Sequence, residues 1–146
     1  MKIKDVKINR PICIMPFDDR LYKVSGGVTI DLVTDEGTLS FTIYDGFLFD
    51  GRSGGKLVDW VIPNLGTQDE VVAWLVHDVS FYPDTVSFEL ANELLYLLLR
   101  RSGMGRFRAG LVYRAVTIFG KNRKSETIES IEPMFKDNAY KYLFKW

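Results

Sequence analysis

His77 is the only histidine of the chain, and Asp78 follows it directly. Imidazole is the side chain whose ordinary pKa best suits proton transfer near neutrality, so this dipeptide is the first place to seek general-base chemistry. Neighbouring positions on a helix diverge by about 100°. Asp78 is therefore poorly placed to orient His77 and would instead face another ligand, such as a metal ion. The simpler account is structural, since a histidine close to a helix C-terminus favours the negative end of the helix dipole. After Asp50, the run Gly51-Arg52-Ser53-Gly54-Gly55 could turn backbone N–H groups to an anion or carbonyls to a cation. It lacks the Lys-Ser/Thr ending of a phosphate loop and the GxGxxG spacing, so a tight connector explains it more simply. Ser53 has no nucleophile-elbow context. Cys13 lies in an apolar strand candidate, so a buried packing role is expected rather than a thiol nucleophile served by His77. One cysteine and one histidine exclude an internal disulfide and a Cys/His zinc finger.

Two further groups could bind rather than react. Arg100, Arg101, Arg106, Arg108 and Arg114 cluster in sequence and could hold phosphate or an acidic surface. A solvated face with scattered ion pairs is the plainer expectation. Tyr140, Tyr142, Phe144 and Trp146 alternate, which puts them on one face of a strand. Folded back, they complete a sheet; extended, they would anchor a partner. Folding back is the favoured expectation. Nineteen basic residues balance nineteen acidic ones, which excludes the strong overall attraction behind non-specific nucleic-acid binding.

The elements that must position these residues divide the chain of 146 residues in two, although its length suits a single domain. Val28–Val33 and Thr38–Ile43 are rich in β-branched residues, and Leu39, Phe41 and Ile43 fall on one face. With Thr34-Asp35-Glu36-Gly37 between them as a turn, they predict an antiparallel hairpin. Ile12–Met15 and Leu21–Val24 could add strands, with turns at Asp18-Asp19 and Ser25-Gly26-Gly27. Residues 45–55 carry too many glycines for a helix and read as a connector, closed by Pro63-Asn64-Leu65-Gly66. Thr67-x-x-Glu70 is a capping box that opens a helix through about Asp78. A second helix begins near Asp84 or Thr85, carries Phe88, Leu90, Ala91, Leu94, Leu95, Leu98 and Leu99, and stops at Gly103. A third runs from about Gly105 to Phe119, with Gly120 as its stop. Its expected core stripe is Phe107, Leu111, Ala115 and Ile118, with Gly110 admitting a close backbone neighbour. The fold class is α+β: an N-terminal antiparallel sheet or small barrel, three helices, then a tail over 121–146 ending in an aromatic strand. No apolar run approaches the roughly 20 residues of a membrane helix, and no signal peptide is visible. A soluble protein of the cytoplasm is expected.

The order Gly46-Phe47-x-x-Asp50-Gly51-x-Ser53, Ala73-x-x-x-His77-Asp78, Ala91-Asn92, Gly103 and Ala109-x-x-x-Tyr113-x-Ala115-Val116-x-x-Phe119-Gly120 resembles a phage and prophage family, domain-of-unknown-function family 1353. The resemblance covers about residues 40 to 120. The chain departs from the family at Ser53-Gly54-Gly55, where Ser-x-Pro is usual, at Phe81 in place of Tyr, and at Asn92 in place of an acidic residue. The family layout is in turn similar to that of calcium-dependent phospholipases of the His-Asp type. That likeness implies His77 as base, Asp78 as calcium ligand, carbonyls of Gly51, Gly54 and Gly55 around the ion, and Asn92 orienting His77. An amide can accept a hydrogen bond from the imidazole but cannot stabilise an imidazolium as a carboxylate would. The first expectation is therefore a non-enzymatic phage or prophage protein, in the host cytoplasm or built into the virion. Its partners would be other phage proteins or a second copy, with no cofactor. The alternatives are a degenerate His-Asp hydrolase acting on a lipid or other ester with calcium, and an inhibitor of a host protein.

Overall fold

In the computed structural model the residues described are 2–16, 22–49, 67–80, 82, 85–120 and 144–145, with the backbone alone at 119, 120, 144 and 145. The predicted hairpin is present. Strand β4 (Val28–Thr34) pairs antiparallel with β5 (Thr38–Ile43), and Val28, Ile30 and Leu32 stand opposite Ile43, Phe41 and Leu39. Side chains along β4 alternate strictly between buried and half-buried, as a strand with one face on a core requires. The Thr34 amide and hydroxyl both donate to the Gly37 carbonyl, and Gly37 takes a positive φ of 141°.

A strand that the apolar pattern does not announce, β1 (Ile3–Ile8), lines the other side of β4. Ile3 and Val6 are both buried although three residues apart. Simple alternation would put them on opposite faces, but the pairing register shifts between Ile3 and Asp5. The bulge brings both inward. Strand β7 (Phe144–Lys145) adds to β5, with Ile43 opposite Phe144, so the first sheet has the order β1-β4-β5-β7. The chain does fold back here, as favoured from the sequence. Tyr140, Tyr142 and Trp146 lie outside the described residues.

The second sheet is β2 (Cys13–Pro16), β3 (Tyr22–Ser25) and β6 (Leu48–Phe49), in that order. β6 corrects the reading of 45–55 as connector alone: Phe47, Leu48 and Phe49 are buried, and their apolar bulk outweighs the flanking glycines. Cys13 is also corrected. It is exposed, because period-two alternation turns Ile12 and Ile14 inward and Cys13 and Met15 outward.

Three helices follow. In α1 (Gln68–Val79), the Thr67 hydroxyl accepts the Glu70 amide at 3.3 Å, the N-cap half of the predicted box. Every residue from Val71 to Ser80 is buried, so α1 is the central helix of the layer. The Gln68 side chain accepts the Ile12 amide at 2.7 Å and ties this helix to the strand region. Helix α2 (Phe88–Arg101) starts three residues later than Thr85, because Ser87 is its N-cap and accepts the Leu90 amide. The Thr85 hydroxyl instead donates back to the carbonyls of Val79 and Tyr82. Gly103 ends α2 at φ 101°, with Gly103 N–H on Arg100 and Met104 N–H on Leu99, the paired bonds of a Schellman stop. Helix α3 (Arg106–Ala115) widens into a π turn over Val116–Gly120.

The expected stripe of α3 holds at Ala115 and in part at Leu111, and fails at Phe107 and Ile118. Ala109, Val112, Ala115 and Val116 face the core, whereas Phe107 is 79% exposed and Ile118 62%. Leu111 is half-buried. Nothing lies within 4 Å of a Cβ built on Gly110, so among the described residues no backbone approaches it. The arginine cluster is also only partly a solvated face. Arg101 grips Asp69 with two hydrogen bonds, at 2.7 and 3.0 Å, and donates to the Val6 carbonyl. The Asp69 carboxylate holds the Arg101 guanidinium above its ordinary pKa. One side chain thus joins the start of α1, the end of α2 and β1.

Candidate functional site

His77 enters the core because the last turns of α1 pack on α2. Its exposure is zero, and that of Asp78 and Asn92 is 1% and 2%. Trp74 precedes His77 by three residues, one turn along the same face of α1. Its ring stands edge-on to the imidazole, with centroids 6.0 Å apart. From α2, the Phe88 ring lies 5.7 Å away. Asn92 follows Phe88 by four residues and shares its face of α2. Among the described residues the imidazole therefore meets two aromatic rings, one from each helix.

Asp78 comes closer to His77 than divergence along the helix suggests. Its Oδ1 is 3.8 Å from Nδ1, within electrostatic reach but beyond a hydrogen bond. Both residues make further contacts with the surrounding chain. The Ser80 hydroxyl donates to the His77 carbonyl and closes the helix end, so Ser80 does the capping while the imidazole is turned into the core. No hydrogen bond among the described residues joins Asn92 to His77, and the buried Oδ1 of Asn92 has no hydrogen-bond partner there. Trp74 Nε1 is in the same position. Leaving such atoms unsatisfied costs free energy, so these polar groups have capacity to spare.

A hard cation of the calcium type takes six to eight oxygens. The carboxylate of Asp78 and the amide oxygen of Asn92 are the described oxygens nearest that role, and no described group of three or more His, Cys, Asp and Glu could hold a metal. This partial set does not by itself fit the ion. Asp50, Gly51, Ser53, Gly54 and Gly55, whose carbonyls or side chains would complete it, lie outside the described residues.

The strand that would lead into that loop is firmly placed. The Tyr82 hydroxyl, just past α1, donates to the Leu48 carbonyl at 2.7 Å, and its ring packs against Phe47 at a tilt of 57°, with centroids 4.8 Å apart. β6 is thereby fixed close to the end of the helix that carries His77. The sequence singled out His77, Asp78 and Asn92, marked Phe88 only as part of the apolar stripe of its helix, and left Trp74 unmarked. Helical spacing from His77 and Asn92 was the signal that could have found them.

Two clefts lined by described residues lie away from the imidazole. One of about 320 Å³ is lined by Arg10, Gly26, Gly27, Thr42, Tyr44 and Asp45 among others. A second of about 240 Å³ is lined by Glu93, Tyr96 and Tyr113. No helix among the described residues is long and apolar enough to cross a membrane.

Comparison with curated proteins and with solved structures gave no match. A family model does match, over residues 21–116, about two-thirds of the chain. The match begins earlier than the motifs alone suggest and takes in strands β3 to β6 as well as α1, α2 and α3. The strand, His-Asp helix and Ala-Asn helix described above all fall inside it, and the chain belongs to the family described as protein of unknown function (DUF1353).

Proposed function

We propose that this protein is a non-enzymatic, protein-binding component of a phage or prophage, carried in the particle or used in its assembly. In this reading His77, Asp78 and Asn92 lock α1 against α2. The observation that carries it is the complete burial of the imidazole, which meets the rings of Trp74 and Phe88. A general base must reach the proton it removes. Density-gradient fractionation of purified particles tests the proposal, and the chain is expected to sediment with them in fixed proportion. Its absence from particles and from assembly intermediates would overturn it.

A second reading, a His-Asp hydrolase using calcium, is favoured by one observation: the buried Asn92 Oδ1, an oxygen acceptor with no hydrogen-bond partner among the described residues. It requires ester hydrolysis that depends on calcium and disappears in His77→Gln while that variant keeps its melting transition. Such a result would replace the first reading. Stoichiometric capture of one host protein, with no particle association, would instead make the chain an inhibitor.

A further inference from the structure

Helix α3 and the π turn that follows it have two apolar faces, and among the described residues only the inner one is packed. The inner face is built of small residues, Ala109, Val112 and Ala115. The outer one presents Phe107 and Ile118, among the most exposed large apolar side chains of the described residues, and between them Leu111, half-buried and packed in part against the core. Their positions i, i+4 and i+11 set a stripe roughly 15 Å long on one side of the helix. Single exposed apolar residues are ordinary, but a helical stripe of them marks an interaction surface.

Charge selects the occupant. Helix α3 carries Arg106, Arg108 and Arg114 and no acidic residue. Among the described residues neither Arg106 nor Arg114 has an ion-pair partner. Arg106 and Arg108 stand in the first turn, where the helix dipole disfavours cations, and Gly105 offers no side-chain cap. A second copy fits badly. A two-fold axis through the open Gly110 would set Arg106 of one copy against Arg114 of the other, a like-charge contact. An anionic bilayer also fits badly, because the inner face of α3 is committed to the core and the free stripe is too narrow for interfacial insertion.

We infer that the outer face of α3 docks an acidic amphipathic helix of a partner protein, with apolar anchors on Phe107, Leu111 and Ile118 and carboxylates meeting Arg106 and Arg114. This deepens the protein-binding reading by naming its surface and the chemistry of its partner.

The test is selection from a displayed library of random peptides of about 16 residues, long enough for four helical turns. The full-length protein is the target. Selected peptides are expected to be net acidic, with apolar residues at helical spacing. Their affinity should fall at least about tenfold for the double variant Phe107→Ser/Ile118→Ser and for Arg106→Glu/Arg114→Glu. All four side chains are exposed, so melting temperatures should match that of the parent, which separates lost docking from lost folding. Enrichment of neutral or basic peptides, or equal binding by parent and variants, would overturn the inference. So would sedimentation with equimolar phosphatidylcholine–phosphatidylglycerol vesicles that requires Phe107, or a dimer that Phe107→Ser dissociates. The selection uses no phage particle. Failure here with intact particle association would remove this surface and leave the proposed function standing, and the reverse pair of results would do the opposite.

Discussion

Gly27 and Asp35 are two residues whose local chemistry reaches further than their size suggests. Gly27 has a φ of 64°, and a Cβ there would lie 2.9 Å from the Ile43 carbonyl oxygen. Its own carbonyl accepts Arg10 Nε at 2.7 Å. Backbone conformation and space both demand glycine at this point. Gly27→Ala should destabilise by at least about 1–2 kcal/mol, the cost of a left-handed L-residue before the clash is counted, as read by urea denaturation. Asp35 acts through its charge. The Lys2 amide donates to its Oδ1 at 2.8 Å, and that bond holds the carboxyl below its ordinary pKa. A carboxylate with a lowered folded pKa stabilises above its unfolded pKa and loses that contribution as pH falls through the folded one. The tie between residue 2 and the β4–β5 turn should therefore release only below the usual carboxylate range. The Lys2 amide shift in NMR should titrate there in the parent and stay flat in Asp35→Asn.

Among elements, the cap residues decide where helices begin. Ser87, rather than Asp84 or Thr85, starts α2 because its hydroxyl reaches the Leu90 amide. Ser87→Ala should cost about 1 kcal/mol, measurable as a lowered denaturation midpoint with unchanged slope. Thr67 and Gly103 were legible in sequence because cap chemistry is local. The inward face of α3 was not. Phe107, Leu111, Ala115 and Ile118 form a sound helical stripe, and periodicity does not tell a buried face from an exposed one. What settles it is the space left by α2, which takes Ala109, Val112, Ala115 and Val116 and leaves Phe107 and Ile118 outside. β1 was hidden for a similar reason, since its bulge breaks the alternation by which strands are read. The candidate site was legible in its members, because His77-Asp78 is a rare pair in this chain. Its burial was not, because it depends on how two helices meet.

At the scale of the whole molecule, both sheets and all three helices contribute to one contiguous apolar cluster. Arg101 adds a polar clasp from the end of α2 to Asp69 on α1 and to Val6 on β1. Such sharing predicts a single cooperative unfolding transition. Leu95, fully buried in α2, is a direct probe. Leu95→Ala should lose about 2–5 kcal/mol, and far-UV and near-UV circular dichroism should report the same lowered midpoint. Separate midpoints would show the sheet and helix layers melting independently.

The strand β7 carries a consequence for synthesis. Its partners Thr42 and Ile43 in β5 leave the ribosome about a hundred residues earlier, so at ordinary elongation rates that end of β5 waits roughly 5–20 s for its pairing. During that interval the nascent chain exposes a bare strand edge, the kind of template on which neighbouring polypeptides aggregate. Slow translation or truncation ahead of Phe144 should therefore favour inclusion bodies over folded product.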